Sequence, residues 1–158
     1  MKIRGWVQSK SAVSSRQLAV KGLSIHCLLL TAYCLLFSCS SRDPKFQQYY
    51  AQGQTLYEKH CSNCHQKNGT GLGRVYPPLA SSDYLNNNFE KTLCMMKYGT
   101  QGEIVVNGKS FNKTMPAIPS LTELEIAEIV TYIGNSWGHE KGLIDVAKAS
   151  EIMGKCAQ

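Results

Sequence analysis

Five consecutive residues of this 158-residue chain have types and spacing that point to chemistry: Cys61, Ser62, Asn63, Cys64 and His65. They read C-x-x-C-H, the pattern for covalent attachment of a c-type haem. Two thiols three residues apart share one helical turn, where each can add across a haem vinyl group. The histidine next in line is then carried beneath the iron as an axial ligand. A bare C-x-x-C is also found in zinc half-sites and thioredoxin-like redox pairs, and the adjacent His65 turns the reading toward one covalently attached haem c.

An iron held by His65 has a sixth position to fill. The candidates beyond the motif are Met95, Met96, Met115, Met153 and His139. Met115 is the best placed, about 50 residues past His65 in Thr114-Met115-Pro116-Ala117-Ile118-Pro119. The prolines there exclude regular helix and stiffen the segment. Met95 and Met96 read equally well as helix core, while Met153 and His139 lie in a weakly patterned stretch. His60 precedes the motif and is expected at the surface or beside the haem propionates. Tyr76-Pro77-Pro78-Leu79 is a rigid extended turn, from which a carbonyl can fix the tautomer of His65. Gly69, Gly71 and Gly73 allow backbone to lie against a flat ligand, and no phosphate-binding pattern accompanies them.

These residues need elements to position them. Asp43-Pro44 is a helix start, with Asp capping free amides and Pro suited to the first helical position. The helix is expected to run from about Lys45 into the motif, with Gly53, Tyr57 and Cys61 on one face. A glycine inside a helix costs about 1 kcal/mol relative to alanine, and close approach of a second helix accounts for it. Ser81 to Leu85 reads as a helical turn, and Asn88 as the cap of a helix from Phe89 to Tyr98 ending at Gly99. Glu103 to Phe111 reads as a small hairpin or extended loop turning at Asn107-Gly108. Thr122 and Glu125 form a capping box before Leu124, Ile126, Ile129, Val130 and Ile133, an amphipathic helix ending near Gly134 to Gly138. Its Ile129 and Tyr132 are candidates to meet Gly53 and Tyr57. Residues 139–158 are expected to be a loosely packed tail.

The start of the chain differs in kind. Residues 1–38 contain Lys2, Arg4, Lys10, Arg16 and Lys21 and no acidic residue, so the net charge of +6 falls to +1 without them. A basic footprint on the folded domain is absent, which excludes nucleic-acid binding as a function. Leu23 to Phe37 is an apolar run of 15 residues, shorter than the ~20 of a spanning helix and suited to a signal-peptide core. It ends in Leu36-Phe37-Ser38-Cys39, which resembles a bacterial lipobox, although Phe37 is a less usual occupant. The organisation expected is a lipoprotein-type signal peptide (1–38), a tether (39–43) beginning at lipidated Cys39, a haem domain (44–138) and the tail (139–158). An uncleaved short anchor and ordinary cleavage nearby are the alternatives, and every version exports the domain. Cys94 and Cys156 are left over: a small buried hydrophobe and a tail thiol is the plain reading, with pairing open.

Taken together, Gly53 and Tyr57, C-x-x-C-H at 61–65, Pro77-Pro78-Leu79, Met115-Pro116, and Ile129 with Tyr132 make residues 44–138 resemble a class I monohaem cytochrome c. The likeness is to the small bacterial members that occur alone or appended to respiratory oxidoreductases. It implies a mainly α fold of three to four helices around one covalent haem, with a small loop or hairpin before the Met ligand. It also implies terminal helices crossing at Gly53 and a carbonyl of Pro77 or Pro78 accepting from His65. The leader, Cys94 and the residues after Trp137 depart from the family pattern. With His65 and Met115 both bound, the iron would change only its oxidation state, through brief encounters at small docking surfaces. Lys67, Lys109 and Lys113 flank the ligand loops and either contribute to such a surface or are simply solvated.

The function expected is a one-electron carrier, lipid-tethered at the periplasmic or extracytoplasmic face of a bacterial membrane and exchanging electrons with respiratory complexes. A fixed cytochrome subunit of an oxidase or nitrite reductase is the alternative, and a haem sensor with an open sixth site is a weaker one. No nucleophile–base constellation suggests catalysis by the chain alone.

Overall fold

The computed structural model describes residues 43–156, together with Cys27 and Leu29. The leader, its lipobox and Cys39 otherwise lie outside the described residues. Among the described residues no helix is long and apolar enough to cross a membrane.

The first helix, α1 (Pro44–His60), begins where the sequence places it: Asp43 accepts from the Lys45 amide at 2.9 Å and Pro44 occupies the first turn. It stops at Cys61, and a single turn, α2 (Ser62–His65), carries the rest of the motif. Two helices follow, α3 (Asp83–Asn87) and α4 (Phe89–Tyr98). Ser82 caps α3 by accepting from the Leu85 amide at 3.1 Å. Asn88 stands at the cap position of α4 but does not cap it, because its side-chain amide donates back to the Tyr84 carbonyl at 3.1 Å.

A hairpin comes next, β1 (Ile104–Val106) and β2 (Lys109–Phe111), paired antiparallel with Ile104 opposite Phe111. Asn107 and Gly108 both have positive φ, 49° and 72°, the requirement of a two-residue turn matched to strand twist. The turn is fixed from outside as well, since the Asp83 and Asn107 side chains each accept from the other's backbone amide, at 2.7 and 3.0 Å.

The core is built on α5 (Glu123–Ile133), whose Thr122–Glu125 capping box is complete. Thr122→Ala removes half of that box and is expected to cost about 1 kcal/mol, read as a shift of the denaturant midpoint at constant slope. Where α5 crosses α1, a Cβ built on Gly53 would lie 1.9 Å from the Glu128 carbonyl oxygen and 2.9 Å from the Tyr132 Cβ. Backbone therefore lies directly on backbone. The α5 residues under Gly53 are thus Glu128 and Tyr132, and Ile129, one residue on, turns to the neighbouring cleft. Around the crossing, Tyr132 packs against Tyr50, Tyr57 and Trp137 with ring centroids 5.1, 5.4 and 5.5 Å away.

The expected one-sided pattern of α5 gives way to burial on all faces from Ile126 to Ile133. The reason is a final helix, α6 (Val146–Met153), which sets Ala149, Ile152 and Met153 in the same core. The expected loose tail is therefore corrected. Thr131 Oγ1 donates to the Ile144 carbonyl at 3.0 Å, Asn135 pairs with both backbone groups of Gly142 at 2.8 Å, and Cys94 of α4 is disulfide-bonded to Cys156. Neither cysteine is free.

Candidate cofactor site

The core residues of α5 also form one wall of a cleft with about 960 Å³ of empty space, its open mouth included. Cys61, Cys64, His65, Pro77, Pro78 and Met115, widely separated in sequence, all line it. The remainder of the wall is mostly apolar, including Leu79, Leu85, Ile129 and Ile133.

His65 is held from two directions. Its backbone amide donates to the Cys61 carbonyl at 2.9 Å, and the Gly71 amide donates to the His65 carbonyl at 3.0 Å. The imidazole Nδ1 lies 3.0 Å from the Pro77 carbonyl oxygen. A carbonyl only accepts, so Nδ1 carries the proton and Nε2 keeps its lone pair. Burial lowers the His65 pKa, partly opposed by the Pro77 hydrogen bond, so the neutral imidazole that a metal needs is favoured. Of the two prolines that the resemblance offered, Pro77 supplies the carbonyl.

The Pro77 turn is anchored in its turn by the glycine loop. Leu79 and Ala80 donate to the Gly69 carbonyl at 2.7 and 2.9 Å. Gly69 itself lies against the Trp137 indole, where a Cβ would be 2.8 Å from the ring, and a Cβ on Gly71 would meet the Tyr76 carbonyl at 2.3 Å. The flat group against this backbone is thus an indole of the chain. None of the three loop glycines lines the cleft.

Met115 arrives from the proline-braced segment. Its backbone exchanges two hydrogen bonds with Thr100, at 2.9 and 3.0 Å, and the Ile118 amide donates to the Met96 carbonyl at 3.0 Å. Gly99, at φ +75°, permits this, since a Cβ there would sit 2.8 Å from the Met115 carbonyl. Met95 and Met96 also line the cleft, but the Tyr84 hydroxyl is 3.9 Å from the Met95 sulfur and Met96 is packed in the core. Met153 belongs to the core beyond the cleft. His139 is no ligand candidate either, with both ring nitrogens taken by Leu79 and Asn86. His60 is exposed.

Neither motif cysteine is engaged in a disulfide, so both sulfurs are available for attachment. Burial, and then the neighbouring Cys64, push the Cys61 thiol up to about 12. Among the described residues no group of three or more His, Cys, Asp and Glu is arranged to hold a metal ion, so the zinc reading lacks completing donors. Two thiols, one lone pair on a fixed imidazole, a thioether and an apolar wall instead suit a haem. The hairpin contributes Ile104, Val106 and Phe111 to this wall. They carry no motif, but the alternation of Ile104 and Val106 is the strand signal that would place them together on an inner face.

The comparisons with known proteins agree with this geometry. The family model described as Cytochrome c matches residues 50–137. The chain belongs to the cytochrome c family. As a member it carries covalently bound haem c and transfers electrons, a role distinct from that of an enzyme. Two cytochromes c-552 from Thermus thermophilus are each 35% identical over 95 residues, covering 58% of this chain and 72% and 64% of their own lengths. The cytochrome c subunit of a quinone alcohol dehydrogenase from Gluconacetobacter polyoxogenes is 27% identical over 123 residues, 70% of this chain and 25% of that subunit. This cytochrome c therefore spans only a quarter of the dehydrogenase subunit.

Proposed function

We propose that Cys61 and Cys64 form the thioether bonds to haem, that His65 and Met115 are its axial ligands, and that the protein is a membrane-tethered one-electron carrier of a respiratory chain. The observation that carries the reading is the His65 imidazole, which gives its Nδ1 proton to the Pro77 carbonyl at 3.0 Å and keeps Nε2 for a metal in a cleft that Met115 also lines. Haem iron, when bound, supplies an Fe(III)/Fe(II) couple. His65 and Met115 would hold the iron, the Leu85, Phe111, Ile129 and Ile133 wall would exclude water from it, and the Met115 thioether would favour its reduced state.

The tether rests on the sequence before residue 43. The leader would export the domain, and a lipid on Cys39, the first residue once residues 1–38 are removed, would hold it at the periplasmic face of the membrane, where its redox partners are respiratory complexes. Radiolabelled palmitate incorporated by the wild type and lost in Cys39→Ala tests this directly. Label retained in the variant would contradict it.

The ligand assignment makes a separate prediction. Reduced wild-type protein is expected not to bind carbon monoxide at neutral pH, whereas Met115→Ala binds it readily. Binding by the wild type would mean an open sixth site and a ligand-binding or sensing role. A second reading, a fixed cytochrome subunit, is favoured by the dehydrogenase-subunit relatives. Stable copurification with a catalytic subunit distinguishes it from a freely exchanging carrier.

A further inference from the structure

His139 lies past the end of α5, and its side chain is 3% exposed. Its Nε2 is 2.7 Å from the Leu79 carbonyl oxygen and its Nδ1 is 3.0 Å from the Asn86 side-chain oxygen position. Because the Leu79 carbonyl only accepts, Nε2 carries a proton. Leu79 is two residues from Pro77, and the intervening Pro78 has its φ fixed by its ring. That removes one of the few torsions through which a displacement of the Leu79 carbonyl could be absorbed before it reaches the Pro77 carbonyl.

The segment after α5 is joined to its surroundings at other points. The Ser81 amide donates to the Trp137 carbonyl at 3.3 Å, the Trp137 indole backs Gly69, and the Lys141 ammonium donates to the Asn86 carbonyl at the end of α3, at 3.2 Å. Residues 137–141 thus brace the back of the loop whose front face holds His65.

We propose that His139 is a positioning residue for His65: by holding the Leu79 carbonyl it fixes the Pro77 carbonyl that orients the imidazole and sets its strength as a ligand. A firm Nδ1–H···O=C bond makes the imidazole a stronger donor and favours the ferric state, and a loosened one favours the ferrous state. The inference rests on His65 being an axial ligand.

The test uses the haem-loaded protein and two readouts, exchange of the His65 Nδ1 proton with solvent followed by NMR, and the midpoint potential. His139→Leu leaves the Leu79 carbonyl without its donor. Proton exchange is expected to quicken by about fivefold to tenfold, the weight of one ordinary hydrogen bond, and the potential to rise. His139→Gln, whose amide can donate to the same carbonyl, is expected to restore both. A drop in stability with exchange and potential unchanged would overturn the proposal and leave His139 a packing residue. Where His139→Leu does not fold, Asn86→Ala decides: loss of the group that orients the ring from Nδ1 shifts both readouts in the same direction, and no shift overturns the proposal. A wild-type His65 ring lacking the large shifts of an imidazole beneath haem would instead overturn the ligand assignment on which the proposal stands.

Discussion

Removing the Cys94–Cys156 disulfide, as Cys94→Ala with Cys156→Ala, is expected to destabilise the domain by about 4 kcal/mol. The bond joins residues 62 apart in sequence, and in the chain-entropy account a closed loop of that length removes about this much freedom from the unfolded chain. The proposed haem attachment at Cys61 and Cys64 would not substitute for it, because both cysteines lie outside the loop. The structural consequence is specific. The bond ties the end of α6 to α4, whose Met95 and Met96 line the cleft, so its loss is expected to release the last helix first. Denaturant titration followed by circular dichroism measures the loss. An unchanged midpoint would show that the packing of Ala149, Ile152 and Met153 holds α6 unaided.

Gly53→Ala is the second large effect, and its sign is the informative part. In an ordinary exposed helix this change stabilises by up to about 1 kcal/mol. Here the new methyl would stand 1.9 Å from the Glu128 carbonyl oxygen, which is backbone of α5 and has no rotamer to vacate the space. Either α1 moves away from α5 or the crossing strains, and overpacking of this kind costs about 3 kcal/mol. For a domain of this size the melting temperature is expected to fall by roughly 10–15 °C. A neutral or stabilising result would mean that the two helices do not cross in contact at Gly53.

The parts of the fold that were legible in the sequence are those governed by neighbours along the chain. Asp43-Pro44, Asn107-Gly108 and the Thr122–Glu125 box each satisfy backbone groups within a few residues, and each appears where local chemistry places it. Gly53 was legible because a helical glycine is unfavourable without a neighbour. What escaped was decided over long distances. Val146–Met153 carries an Asp145 cap and apolar residues at Ala149, Ile152 and Met153, a helix signal, but its weak pattern did not reveal that α5 had a second face to bury. The pairing of Cys94 with Cys156 needed both helices in place. Gly69 was legible as a close-approach glycine, while its partner Trp137 was not. His139, a ligand candidate by residue type, has its actual role hidden for the same reason, since its two partners, Leu79 and Asn86, lie 60 and 53 residues away.

Within the cleft, the motif named Cys61, Cys64 and His65, and the two proline-braced segments named Pro77, Pro78 and Met115. All six line one cavity. The hairpin side chains Ile104, Val106 and Phe111 share that wall without any chemical signature, because what they supply is shape and exclusion of water.

The central claim, a covalent haem ligated by His65 and Met115, is tested most directly by the absorption spectrum of the oxidised wild-type protein at neutral pH. The weak far-red band of a ferric iron bound to a thioether sulfur is expected in the wild type and is expected to vanish in Met115→Ala, while the haem stays attached to the chain in both. A wild-type spectrum without that band, or a band that survives Met115→Ala, would contradict the account.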